Sequence, residues 1–344
     1  MLREYLLRRL TLLCFMTLLL SMFTFSLSYL FPGNALVNLS GLQNPTIDQT
    51  NDLIIKYRYN ESYVVQYFAF VERIIHGDWG LSLASGEAVI KQIKSLFPAT
   101  LELSVYALFV SVVVGVPAGI IAAAYHKKWP EKLINALTLM AYSTPVFWLA
   151  LILIMVFCLQ LGLLPMSGRL SLLYEIPEQT HFIIIDILLS NSPYTEQALL
   201  NALHHLTLPT LVLATYPTTV LVRFTRDSML DVLEQNYIKT ARAKGLTRPQ
   251  LIYHHALRNA LLPVIKQIGL QFSTLITLAM VTEVIFSWPG VGRWLIDSIY
   301  QRDYPAIQGG LLAVSMFIII ATIIADMLHT LFDPISRNQA HGKV

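Results

Sequence analysis

The 344-residue sequence contains little charge and little cysteine. Only 13% of its residues are charged, whereas 55% are hydrophobic. Soluble domains carry about 25% charged residues, so this composition excludes an ordinary soluble protein. The two cysteines, Cys14 and Cys158, both fall in apolar runs, which excludes a disulfide framework. The net charge of +3 gives no indication of nucleic-acid binding.

Motifs for catalysis and for metal or nucleotide binding are also missing. The sequence has no Gly-x-x-x-x-Gly-Lys-Ser/Thr phosphate loop, no His-Glu-x-x-His motif and no Gly-x-Ser-x-Gly elbow. His204-His205 and His254-His255 are adjacent pairs, whose side chains point to different helix faces and make poor metal pairs. We therefore predict no catalytic residue, no metal site and no cofactor bound by this chain.

What the chain has in abundance is long apolar runs. About 20 apolar residues in a helix cross a bilayer. The third of six such runs is long enough to tilt or to break at Pro145, and the fourth is interrupted by Pro209 and Pro217. A further patch at residues 182–189 is too short to span and contains Asp186, so we predict a surface or re-entrant piece. The fold class is an all-α, polytopic membrane protein with six transmembrane helices, at residues 10–31, 99–125, 133–164, 206–222, 261–286 and 304–325.

Basic residues predict the orientation of these spans, because cytoplasmic loops are enriched in lysine and arginine. With a cytoplasmic N-terminus, most of the 24 basic residues lie on the cytoplasmic side. Both termini are therefore predicted to be cytoplasmic. A cleaved signal peptide is the alternative for the first run, but its apolar core exceeds the usual length of about 7–15 residues, and Phe31-Pro32-Gly33-Asn34 is a poor cleavage site. We predict an uncleaved anchor.

These features predict four parts of the chain. Residues 1–31 form the anchor helix, and residues 32–98 form a periplasmic segment. Residues 99–332 form a five-helix core with a cytoplasmic loop at 223–263, and residues 333–344 form a cytoplasmic tail.

The cytoplasmic loop is basic and helix-forming. Residues 239–244 alternate alanine with basic side chains, all good helix formers. Gly245 would end this helix, and Thr247 would cap a second helix with Pro249 in its first turn. Pro263 lies about four turns later, where that helix would meet the membrane. This helix, turn and helix could lie on anionic lipid headgroups or bind a soluble partner.

The same loop carries a family resemblance. Thr-Ala-Arg-Ala-Lys-Gly-Leu at residues 240–246, with His-Ala-Leu-Arg-Asn-Ala-Leu-Leu-Pro at 255–263, resembles the cytoplasmic signature loop of bacterial ABC-transporter permeases of the dipeptide/oligopeptide branch. Only Ala241, Gly245 and Leu257 match the more general Glu-Ala-Ala pattern. The branch resemblance extends to residues 77–82, 98–103, 145–149, 163–168 and 283–293, and residues 172–175 and 271–283 resemble Sap-type systems in particular.

The resemblance implies an ABC type I importer permease fold in the bacterial inner membrane, forming the translocation path for peptides, including cationic antimicrobial peptides. Sap-type systems also imply putrescine export as an alternative. The implied partners are a second homologous permease, two ABC ATPase subunits that bind the ATP, and for import a periplasmic substrate-binding protein docking on residues 32–98. A secondary transporter is an alternative of another class, but it would need paired interrupted helices in both halves.

The resemblance also implies which residues of the loop bind the ATPase. Small residues would allow close approach to that subunit, and two basic residues would reach polar groups at the rim of its cleft. Leu257 belongs to the same pattern. The coupling residues are thus expected to be Thr240, Ala241, Arg242, Ala243, Lys244, Gly245 and Leu257.

Three acidic residues within or beside apolar runs are candidates for the transport pathway, because ionisable groups in a membrane are costly. Glu102 and Glu283 lie near the predicted outer face, where each could instead be hydrated or bonded to backbone at a helix end. Asp326 lies one turn from His329 and either lines the pathway or pairs with a basic residue such as Lys266.

Overall fold

The computed structural model describes the backbone of residues 2–190 and 192–332, and all side chains in these ranges except those of residues 2–10, 326 and 328–332. The predicted tail at 333–344 lies outside the described residues. Regular structure in the described part is helical, apart from a bridge between Leu81 and Ala88. The predicted all-α class is confirmed.

The helices follow one another with short connections. Two stretches, Ile154–Gln160 and Leu251–Ala256, are wound more widely, as π-helix. The α-helices are α1 Leu2–Leu30, α2 Ala35–Ser40, α3 Ile47–Tyr57, α4 Tyr63–Ile75, α5 Val89–Ala124, α6 Trp129–Ser143, α7 Val146–Leu153, α8 Ile183–Leu189, α9 Thr195–Leu233, α10 Asn236–Ala243, α11 Arg248–Gln250, α12 Leu257–Ile285, α13 Val291–Gln301 and α14 Tyr304–Phe332.

Five helical stretches in the described residues are long and apolar enough to cross a membrane: Thr11–Leu30, Val89–Ala124, Thr195–Leu233, Arg248–Ile285 and Tyr304–Ala325. A sixth crossing results if Trp129–Ser143 and Val146–Gln160, which meet at 99°, are counted as one broken span. Pro145 is extended at this break, with ψ 135°. Of the two alternatives for the third run, breaking rather than tilting is therefore correct.

Prolines do not end the fourth and fifth spans. Helix α9 continues for 39 residues through Pro209 and Pro217, both of which are buried. The fifth span runs without interruption from Arg248 through Pro263 to Ile285. Prolines are tolerated within membrane helices where neighbouring groups satisfy the freed backbone. The second helix of the loop is thus continuous with the fifth span through Pro263.

The chain divides into two compact units. The first comprises Met1–Thr100 and Pro289–Ile320. Its aromatic core centres on Phe25, whose ring lies 5.3 to 5.7 Å from those of Tyr29, Tyr67 and Phe70. In the same unit, buried Asp303 accepts hydrogen bonds from the Ser82 hydroxyl at 2.5 Å and the Ala84 N–H at 3.1 Å. These bonds fix the loop that precedes α5.

The second unit comprises Leu101–Trp288 and Ala321–Val344. Its helices approach closely where one of them lacks a side chain. A Cβ atom on Gly115 would lie 2.9 Å from Cβ of Leu221, and one on Gly269 would lie 2.4 Å from Cβ of Ala325. Small residues permit such close packing of membrane helices, which is a main source of their association. Helix α9 is the central element of this unit.

Candidate functional site

The basic loop folds as a helix, a tight turn and a second helix. Helix α10 ends at Ala243, and Gly245 has φ +88°, a left-handed conformation that glycine adopts at little cost. The Oε1 atom of Gln250 accepts hydrogen bonds from the N–H and the hydroxyl of Thr247, both at 2.9 Å. Pro249 lies in the first turn of α11. The predicted turn and N-cap are confirmed.

A buried isoleucine of α10 anchors the loop to the membrane helices. Ile238 on α10 is fully buried. It packs with residues of α5, α9, α12 and the stretch before α12: Ala123, Met229, Leu251, Ile252, Ala256 and Ala260. At the edge, Asn259 Nδ2 donates a hydrogen bond to the Tyr237 hydroxyl at 2.8 Å. We call Ile238 and these six residues the loop foot. Sequence reasoning missed Ile238, although it is the one large aliphatic residue of α10.

The opposite side of the loop is exposed. We call the five exposed residues on this side the loop tip: Thr240, Arg242, Ala243, Lys244 and Gly245. The remaining two residues of the expected coupling set, Ala241 and Leu257, are partly buried and pack against the loop foot. The tip therefore presents two cations and three small residues to solution, while Ala241 and Leu257 help to hold the loop in place.

A cavity of about 360 Å³ lies between α5, α6 and α9. Its described walls are apolar except for four threonine residues, and no ionisable side chain is among these lining residues. The lining comprises Val110, Val114, Ala118, Ile134, Leu137, Thr138, Ala141, Leu211, Ala214, Thr215, Thr218, Thr219 and Val222. This volume is within the range of small-molecule sites, about 300–1,000 Å³.

A second cavity, of about 250 Å³, continues along the same two helices. It shares Val110 and Leu211 with the first cavity and reaches Tyr106 and Leu203. From Tyr106 to Ala118 the two cavities follow α5 for twelve residues, or about 18 Å at 1.5 Å per residue. We call this feature the α5/α9 groove. Its length is more than half the thickness of a hydrocarbon core, which is about 30 Å.

Two of the three candidate pathway acids, Glu102 and Glu283, are not among the described residues that line this groove. Both oxygens of buried Glu102 are engaged: Oε2 accepts from Arg169 Nη2 at 2.9 Å and from the Ile183 N–H at 3.2 Å, and Oε1 accepts from the Ile184 N–H at 3.2 Å. These bonds favour the structural role for Glu102. Glu283 is fully buried on α12 and is absent from the lining of both cavities. The Asp326 side chain lies outside the described residues.

A buried ion pair, not foreseen from the sequence, joins α6 to α9. Oε1 of Glu131 accepts from Nε of Arg226 at 2.8 Å and from Nη2 at 2.5 Å. Its Oε2 accepts from the backbone N–H of Lys127 at 2.5 Å, and His126 Nδ1 lies 3.0 Å from Oε1. The Glu131 side chain is only 6% exposed. The described residues contain no group of three or more His, Cys, Asp or Glu side chains that could hold a metal ion.

Several apolar spans, a groove along two of them and a basic loop anchored to the spans are features of a multi-pass transport subunit. Residues 115–338 match the family described as "Binding-protein-dependent transport system inner membrane component". The chain is 41% identical over 333 residues to the peptide transport system permease protein SapB of Salmonella typhimurium, covering 97% of both chains. It is 42% identical over 333 residues to the putrescine export system permease protein SapB of Escherichia coli K12, again covering 97% of both.

A third relative, the dipeptide transport system permease protein DppB of Escherichia coli K12, is 38% identical over 339 residues, which cover 98% of this chain and 99% of that one. The protein therefore belongs to the family of binding-protein-dependent transport system inner membrane components. It is a multi-pass permease subunit of the inner membrane, as the sequence predicted.

A solved structure supports the fold independently. A chain of the MetNI methionine ABC transporter, in an inward-facing conformation, superposes with a TM-score of 0.52 at 14% identity. The superposition covers 79% of this chain and all of that one. The predicted ABC importer permease fold is confirmed.

Proposed function

We propose that this permease subunit is driven by ATP-binding partner subunits through its loop tip, and that the α5/α9 groove carries peptides. In the complete transporter it would pair with a second homologous permease and two ABC ATPase subunits, which bind the ATP. Import would add a periplasmic substrate-binding protein.

The contrast between the loop tip and the loop foot carries this proposal. The small tip residues Ala243 and Gly245 would let a partner approach the backbone closely, and Arg242 and Lys244 would bind polar groups beside them. Ile238, with no exposed surface, would transmit force from the tip to the helices around it. A loop that only contacts lipid headgroups needs the cations but has no use for such an anchor.

The proposed orientation follows from the loop. If the tip binds a cytoplasmic ATPase, both termini lie in the cytoplasm, in agreement with the distribution of basic residues. Residues 32–98 then lie on the periplasmic side, where a binding protein would dock.

The chemistry of the groove favours peptides as substrates. Its larger cavity offers apolar walls and the hydroxyl groups of Thr138, Thr215, Thr218 and Thr219. Hydroxyl groups can bind peptide N–H and C=O groups, and the apolar walls accommodate neutral side chains. Two of the relatives named above are described as peptide and dipeptide permeases.

Putrescine export is the second candidate, because a relative 42% identical to this chain is named for it. A diamine with two positive charges requires carboxylates or aromatic faces along its path. The described groove offers Tyr106 and Phe109 in its smaller cavity and no carboxylate in either lining. Peptides are therefore the favoured substrate, and putrescine is the second candidate.

Reconstitution tests these proposals together. The protein would be co-expressed with its permease and ATPase partners, placed in proteoliposomes, and assayed for ATP-dependent movement of trialanine, a cationic antimicrobial peptide and putrescine in both directions. We expect a peptide to move and to stimulate ATP hydrolysis, and Gly245→Pro to abolish the movement while the protein still inserts. Transport that needs no ATP would indicate a secondary transporter. Movement of putrescine alone would make putrescine, rather than peptides, the favoured substrate.

A further inference from the structure

The loop foot leaves one wall of the groove without a direct attachment. Its described members come from α5, α9, α10, α12 and the stretch that precedes α12. Helix α6 contributes Ile134, Leu137, Thr138 and Ala141 to the groove lining but contributes no described residue to the foot. Movement of the loop therefore reaches α6 through contacts with a helix of the foot, and α6 packs against α9.

The ion pair between Glu131 and Arg226 connects α6 to α9 close to the loop foot. Glu131 lies in the first turn of α6, and Arg226 lies three residues before Met229, a member of the loop foot on α9. Both Nε and Nη2 of Arg226 donate to the same carboxylate oxygen, which fixes the guanidinium plane. The second oxygen binds the N–H of Lys127 in the connection between α5 and α6.

The surroundings make this contact rigid. A Cβ atom on Gly119 would lie 3.1 Å from the backbone nitrogen of Arg226, so α5 and α9 touch directly behind the pair. Separating the two side chains would leave an uncompensated buried charge, which is energetically costly. The beginning of α6 and the neighbouring part of α9 are therefore expected to move together. The far end of α6 is the break at Pro145, where the chain turns by 99°. A rigid α6 that pivots at this break would change the width of the groove.

We propose that Glu131 is a positioning residue for transport: through Arg226 it makes α6 follow the loop, so that nucleotide-driven movement of the loop opens and closes the α5/α9 groove. This inference rests on the proposed coupling function of the loop. In this proposal α6 is the wall of the groove that moves, and the break at Pro145 is its pivot.

The test follows the accessibility of one groove residue and needs no identified substrate. Cys14 and Cys158 are replaced by serine, and Thr138→Cys, a buried position in the cavity lining, is introduced. The complete transporter in nanodiscs is treated with a small methanethiosulfonate reagent, with and without ATP and vanadate. We expect the labelling rate to change by on the order of fivefold or more between these states, the range typical of coupled sites.

In the same background, Glu131→Gln should remove most of this nucleotide-dependent difference while ATP hydrolysis by the complex persists. Arg226→Lys keeps the charge but loses the double contact, and should give an intermediate difference. Asp227→Asn is the matched control, since Asp227 also binds Arg226, at 2.6 Å, but is 63% exposed. It should leave the difference intact.

A full nucleotide-dependent difference in both Glu131→Gln and Arg226→Lys would overturn the inference and leave the coupling function standing. If Glu131→Gln fails to assemble, Arg226→Lys decides alone, and a labelling difference equal to that of Asp227→Asn would overturn the inference. If the Thr138→Cys parent itself shows no difference although the complex hydrolyses ATP, the groove is not driven by nucleotide. That result would contradict the proposed function as well.

Discussion

A Cβ atom on Gly119 of α5 would lie 2.6 Å from the Cβ atom of Thr225 on α9, closer than two side chains can approach. It would also lie 2.7 Å from the carbonyl oxygen of Val222. The contact is made by a glycine, a Cβ atom and backbone atoms, and none of these moves when a side chain rotates. The α5/α9 groove thus ends at a fixed boundary just beyond Ala118, its last lining residue on α5.

Gly119→Val should therefore separate the two helices. Overpacking of this kind typically costs about 1–3 kcal/mol, and here the obstructing atoms are the Thr225 Cβ atom and backbone. We expect a lower midpoint of thermal unfolding in detergent. Ala118→Val is the matched control, because Ala118 is the preceding residue and faces the cavity. An equal loss of stability in both variants would show that the close contact is not responsible.

Glu102→Gln should release the segment at residues 169–184. The buried carboxylate holds Arg169, which also donates to the His181 carbonyl oxygen at 2.9 Å and lies 5.6 Å from the ring centre of Trp288. Breaking one side of a buried ion pair costs roughly 3–5 kcal/mol. Limited proteolysis should cut this segment sooner. Glu178→Gln, in the exposed pair with His181, should change neither stability nor cleavage measurably. Protection of the segment in Glu102→Gln would refute the structural role.

Ile238→Ala should uncouple the transporter. Removing a fully buried isoleucine leaves a cavity, and such changes cost about 2–5 kcal/mol. The loop tip keeps its surface, so we expect the ATPase subunits to bind while substrate movement per ATP falls. Lys239→Ala, at the exposed neighbouring position, provides the control. Normal transport per ATP in Ile238→Ala would mean that force does not pass through the loop foot.

The pair of Lys56 and Asp78 in the first unit predicts a small dependence of stability on pH. Burial alone would raise the pKa of Asp78, but hydrogen bonds from Lys56 Nζ at 2.7 Å and the Gly80 N–H at 3.3 Å lower it below its ordinary value. A carboxyl whose pKa is lower in the folded state stabilises the protein above its unfolded pKa, about 4, and loses this contribution as the pH falls further. The two side chains are 53% and 35% exposed, so the effect stays below about 1 kcal/mol.

Asp78→Asn should accordingly lower the unfolding midpoint at pH 7 and approach the wild type near pH 3. The difference between the two proteins at each pH isolates this group from the other carboxylates. Glu87→Gln, in an exposed pair with Lys91, should run parallel to the wild type throughout. A difference for Asp78→Asn that grows as the pH falls would give the opposite sign and contradict the assignment.

Local features of this fold could be predicted because their causes are local. Gly245 and Thr247 define a turn and a cap through their own backbone and side-chain preferences, and Pro145 breaks a helix by lacking an N–H. The interruption predicted at Pro209 and Pro217 is wrong, because neighbouring helices in a membrane protein compensate for the missing hydrogen bond.

Relationships over long distances along the chain could not be predicted in this way. Glu131 and Arg226 are 95 residues apart, and Glu102 and Arg169 are 67 apart, so no spacing rule pairs them. The polarity of these four residues does not by itself indicate which of them form pairs. Ile238 is the intermediate case: one aliphatic residue in a polar helix indicates a buried contact but does not name the helices that form it.

Coupling of this permease to ATP hydrolysis requires that the loop tip bind an ATP-binding subunit. Photo-crosslinking within the assembled transporter tests it directly, with a benzoylphenylalanine placed at Ala243 in the tip or at Leu172, which is 99% exposed in the segment after the third span. We predict a crosslink from position 243 to the ATPase subunit and none from position 172. A crosslink to the ATPase from position 172, or its absence at 243 in a complex that hydrolyses ATP, would contradict the account.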